Sequence, residues 1–283
     1  MEGGSGDYLE TLLAPIRACK EYKPKFGQGG AATGLTIQQF QELYRADPFY
    51  NWFGLDHPLM YAAHRTAGGM TSIYRQIGIG CERLFRAILR DSLGLAEADV
   101  LWAYEFVPTS GKKRMIYLDG RVAVEQIGDE RKRGAFRHWM ESAALQIRVD
   151  SAVLKVSKGV VFEVRQGYKS KDSKRQKADI DNASAAYSEG YLPCVVVLSK
   201  QIDKDILDRY RKARWLILTG AIDKAKSDPT VSTYDFMRDI IGYDLAEFFE
   251  RNSEILRKEV ESILRDLLTS GDSDEPLRNT RAT

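Results

Sequence analysis

The stretch that most constrains this chain is Gly159-Val-Val-Phe-Glu-Val-Arg-Gln-Gly167, which passes directly into Tyr168-Lys-Ser-Lys-Asp-Ser-Lys-Arg-Gln-Lys177. The first half reads as a strand: short, β-branched and apolar, with a glycine near each end. Yet it carries Glu163 and Arg165, and a charge taken out of water is costly unless it is paired or bound to something. The second half is a dense basic segment. Two explanations are open: a phosphate-handling catalytic strand, or an edge strand with solvated charges.

Period-two alternation sorts the strand. Val160, Phe162, Val164, Gln166 and Tyr168 share one face, and Val161, Glu163, Arg165, Gly167 and Lys169 the other. A carboxylate and cations on one strand face suit metal-dependent phosphodiester hydrolysis: the acid holds Mg2+, and the cation stabilises the charged phosphoryl group. The preceding residues, Ile147 to Val156, are expected to form a strand, turned at Ser157-Lys158-Gly159 into an antiparallel partner. That pairing sets Asp150 opposite Gly167, near Arg165 and Lys169, and makes Asp150 the main expected metal ligand.

Elsewhere the periodicity is largely helical. Helices are expected over residues 7–20, from Thr36 as N-cap, over 70–93, 130–148, 174–189, 203–218 and 233–241, and from Leu245 to Leu268. Alternation returns over Val100–Val107 and Arg114–Glu125, where Asp119-Gly120 reads as a hairpin turn. Tyr191–Ser199 reads as a buried strand, and the aromatic segment Pro48–Phe53 as a contact that packs a helix on the core. The fold class that follows is α/β: a mixed central β-sheet flanked by helices, with additional N- and C-terminal helices.

At 283 residues, 43% of them hydrophobic and 29% charged, the chain can bury a sizeable core. A net charge of +2 leaves nucleic-acid affinity to local clusters. Cys19, Cys81 and Cys194 lack zinc-ligand spacing and cannot all pair, which suits a reducing cytoplasm. Neither a signal segment nor a membrane-spanning run is apparent.

Residues 130–200, a helix, an acid-bearing hairpin with lysine, a helix and a buried strand, resemble the PD-(D/E)xK nuclease superfamily and, within it, type II restriction endonucleases. The chain differs in having Val149 before Asp150 and Arg165 in the lysine slot of Glu163-Val164-Arg165. The resemblance implies a restriction-endonuclease-like core over 96–220. It would have an N-terminal helical region (1–95) packed on it, C-terminal helices (221–270) and a polar tail (271–283).

The activity implied is Mg2+-dependent cleavage of double-stranded DNA at a short specific sequence. Asp150 and Glu163 would hold metal, and Lys169 would be the catalytic cation. Lys169 lies six residues beyond Glu163, about 20 Å along a regular strand, unless a bulge at Gly167 intervenes. So Asp150, Glu163 and Arg165 form one arrangement. Asp150 and Lys169 with Asp179 or Asp181 form another, and Glu141 is a further possible ligand.

Lys171, Asp172, Ser173, Lys174, Arg175 and Gln176 are side chains of the kind that contact phosphates and base edges. An enzyme reading a palindrome would be a homodimer. Two other roles fit the same features: a nuclease of this superfamily in repair or modification-dependent cleavage, and an inactive DNA-binding protein with a nuclease-like core.

Overall fold

All seven residues of Gly159–Arg165 are buried, as expected of a strand covered by helices on both faces. The computed structural model describes residues 5–25, 34–106, 113–167, 182–223 and 225–269. An antiparallel pair comes first, β1 (Trp102–Phe106) with β2 (Arg114–Leu118). A separate four-stranded sheet follows in the order β3 (Gly120–Ala123), β4 (Gly159–Arg165), β5 (Tyr191–Val197) and β6 (Leu216–Leu218). β3 runs antiparallel to β4, while β4, β5 and β6 are mutually parallel. The protein is therefore a mixed α/β structure with a mixed sheet flanked by helices.

The chain divides into two units, one of Met1–Thr11 and Cys81–Arg251, the other of Leu12–Gly80 and Asn252–Thr283. The sheet lies wholly in the first, and the division falls inside helix α4 (Pro58–Leu93). On one face of β4, Phe162 meets Phe85 of α4 edge-on, with ring centroids 5.3 Å apart. It also meets Phe236, 5.8 Å away, which packs at a tilt on Trp139 of α6 (Glu130–Gln146). Phe236 opens a π-helical turn, Phe236–Ile241, that continues the short helix α10 (Thr233–Asp235). On the other face, Val161, Val195 and Val197 pack against Ala183 and Ala186 of the helical residues 182–188 (α8), and against Ile206 and Tyr210 of α9 (Lys204–Lys212).

Two strands approach unusually closely where β3 meets β4. A Cβ placed on Gly159 would lie 2.0 Å from the carbonyl oxygen of Val122, and backbone cannot yield as a flexible side chain can. Gly159→Ala is expected to lower stability by about 1–3 kcal/mol, read as the midpoint of urea unfolding; an unchanged midpoint would show that the approach is looser than described.

The second unit has its own small core, in which Phe40 of α2 (Ile37–Ala46) packs on Tyr61, whose hydroxyl donates to the Leu35 carbonyl at 3.0 Å. The expected Thr36 cap is present as a reciprocal capping box with Gln39. The long C-terminal helix, α11 (Leu245–Thr269), also matches the sequence pattern.

Four expectations require correction. Residues 147–156 do not form a strand: Ser151–Val156 is a helix, α7, capped by Asp150. The strand paired antiparallel to β4 is β3, so no 147–156 hairpin exists and Asp150 does not lie across a ladder from Gly167. Asp119 is not a hairpin turn, because β2 and β3 on either side of it belong to different sheets. Leu216–Leu218 leaves the α9 helical pattern to become the short strand β6, after Arg214 breaks the helix at φ +58°.

The aromatic segment is a further departure. Helix α3 (Pro48–Trp52) buries none of its residues, and Trp52 and Phe53 are 78% and 68% exposed. Trp52→Ser is therefore expected to move stability by no more than about 0.5 kcal/mol; a loss in melting temperature typical of a core substitution would show that the segment is covered. None of the described helices is long and apolar enough to cross a membrane.

Candidate functional site

The charges inside β4 meet an acid that precedes β3. The β3–β4 register pairs Gly120 with Phe162, so one step further sets Asp119 opposite Glu163. Hydrogen bonds hold Asp119 in place: its N–H donates to the Phe162 carbonyl (2.9 Å), its carbonyl accepts from Arg86 Nε (2.9 Å), and its Oδ2 accepts from the Val164 N–H (2.8 Å). The carboxylate is thus folded back onto the end of β4.

Arg165 joins the two acids. Its Nη1 lies 3.7 Å from Asp119 Oδ2, and its Nη2 is ion-paired with Glu163 Oε1. The side chains are 17%, 8% and 9% exposed for Asp119, Glu163 and Arg165. Two carboxylates so shielded from water repel each other unless a cation lies between them. Here the guanidinium supplies that cation, and it also donates to the Val164 carbonyl at 3.1 Å.

The site stands at the carboxyl end of β4, where β5 runs parallel and the chain leaves toward 168–181. In parallel sheets such ends are where ligands bind. Tyr104 donates a buried 2.7 Å hydrogen bond to Asn182, tying β1 to α8.

Of the residues expected from sequence, Glu163 and Arg165 are together here. Asp150 is an exposed helix cap whose Oδ1 accepts from the Ala152 N–H at 2.7 Å. Glu141 is exposed on α6. Lys169, Lys171, Asp172, Ser173, Lys174, Arg175, Gln176, Asp179 and Asp181 lie outside the described residues.

Asp119 and Arg86 were missed. The signal for Asp119 was present, since an Asp-Gly step beside an apolar strand also marks a break between strands, but its partner lies more than forty residues away. Arg86 is one of several arginines on α4, with Arg75, Arg83 and Arg90, and nothing in the local pattern sets it apart. Asp150→Ala is expected to cost about 1 kcal/mol as a lost cap while leaving any cleavage activity intact; abolished cleavage in a folded variant would move the site to α7.

Among the described residues, no group of three or more His, Cys, Asp or Glu side chains converges as a metal site. Asp119 and Glu163 supply two carboxylates, and Mg2+ commonly binds through one or two with water in its remaining positions. The donor set fits that ion. A cavity of about 350 Å³ opens near β6, lined by residues such as Gln146, Arg148, Arg211 and Thr219, but Asp119, Glu163 and Arg165 do not line it. Comparison with protein-family models, curated proteins and solved structures gave no match, so the reading of this site rests on its geometry.

Proposed function

We propose that the protein is a Mg2+-dependent endonuclease acting on double-stranded DNA, a type II restriction enzyme with a restriction-endonuclease-like core. The observation that carries this reading is the convergence of Asp119, Glu163 and Arg165 at the end of a buried strand. The strand leads directly into the basic run beginning at Lys169.

In this proposal Asp119 and Glu163 hold the ion. Bound there, Mg2+ would polarise a phosphoryl oxygen and make its water a better nucleophile. Arg165 faces the phosphate and offsets its charge, and Lys169 is a second cation for the same role. The segment Lys171–Gln176 contacts the DNA backbone and base edges, which adds a salt-dependent component to binding. A palindromic target would be read by a homodimer.

Plasmid DNA incubated with the protein and MgCl2 tests the reading. Discrete fragments are expected, and EDTA should suppress them. A smear would instead indicate a nuclease of this superfamily without sequence specificity. Arg165 is already paired with both acids, which favours one second reading, a DNA-binding protein whose core no longer cuts. Intact plasmid with a retained gel shift would establish that alternative.

A further inference from the structure

We infer that Arg165 competes with a divalent ion for the carboxylates of Asp119 and Glu163, which it pairs with; this rests on the nuclease reading above. The guanidinium meets Asp119 Oδ2 and Glu163 Oε1, oxygens that both acids would present to an ion. All three side chains are largely excluded from water, so solvent does little to screen them. A divalent ion bound between these oxygens and a guanidinium in the same position would be two cations in one small space. One must leave when the other arrives.

Arg165 can leave without unfolding the strand, because its main chain is held by the ladder to β5, where the Leu198 N–H donates to the Arg165 carbonyl at 2.8 Å. The side chain is the movable part. Metal affinity is thereby set by an internal competitor as well as by the ligands. A scissile phosphate, which offers the guanidinium an alternative anion, would strengthen metal binding by drawing the competitor away. The sequence places arginine in the lysine slot, and arginine alone has the planar fork to span two carboxylates.

Isothermal titration of the full chain with MgCl2, without DNA, tests the competition. Arg165→Gln is expected to bind Mg2+ about tenfold more tightly than wild type. Its melting temperature should rise more with added Mg2+ than that of wild type. Arg165→Lys, whose ammonium is a compact point charge, should be intermediate and carries the test if the glutamine variant does not fold. Equal or weaker Mg2+ affinity in a folded Arg165 variant overturns the inference.

Plasmid cleavage by wild type is scored separately. Cleavage with unshifted Mg2+ affinity in the variants sinks only the competition. Shifted affinity without cleavage sinks only the nuclease reading.

Discussion

On the nuclease reading, replacing Asp119 with asparagine is expected to lower Mg2+-dependent cleavage at least about a hundredfold while leaving the protein folded. The asparagine carbonyl can still accept the Val164 N–H that Asp119 Oδ2 accepts at 2.8 Å, so the backbone geometry survives. The substitution removes the negative charge and turns one acceptor oxygen into an amide donor. Losing a residue that merely orients a metal ligand typically costs 10–100-fold in affinity or activity, and losing a ligand should cost at least as much. The measurement is the initial rate of plasmid linearisation beside a thermal melt. A variant that melts like wild type and cuts at the wild-type rate would remove Asp119 from the site.

The second large effect is structural. Phe162→Ala should destabilise the protein by about 3–5 kcal/mol, the usual cost of emptying a fully buried aromatic site. Phe162 is 0% exposed and lies between Phe85 and Phe236, so its removal leaves a void bordered by three separate elements. Those elements, α4, β4 and the π-helical turn, cannot all close in on it. Urea unfolding measures the loss. A change below about 1 kcal/mol would mean that these helices do not cover this face of β4.

Much of the architecture was legible in the sequence because it depends on local pattern. The run Tyr191–Val197 could hardly be anything but a buried strand, and the stripe on α11 is a regular helical one. Glu163 and Arg165 stood out because buried charges are rare. What the sequence hid depends on distant partners or on short segments. Ser151–Val156 is six residues long, too short for periodicity to separate strand from helix. Asp150 as a capping residue was the signal that favoured helix.

Asp119 was hidden for a different reason. Whether an Asp-Gly step turns a hairpin or separates two sheets depends on what its flanking strands pair with. β3 finds its partner only at Gly159, a separation that no local rule spans. Leu216–Leu218 likewise becomes a strand because β5 offers an edge, although its composition suits the helix before it.

The position of Asp119 ahead of β3 also says when the site can exist. One acid is synthesised more than forty residues before the other, and the two meet only after β3 closes onto β4. β4 in turn is stable only once β5 has emerged to cover its other edge. Such non-local pairings form late, because loop closure must precede the contacts that reward it. A nascent chain ending between residue 163 and about residue 197 therefore carries both acids but no assembled site. On the proposed function, a nuclease built this way acquires its activity only when its sheet is complete, and incomplete chains in the cell are harmless to DNA.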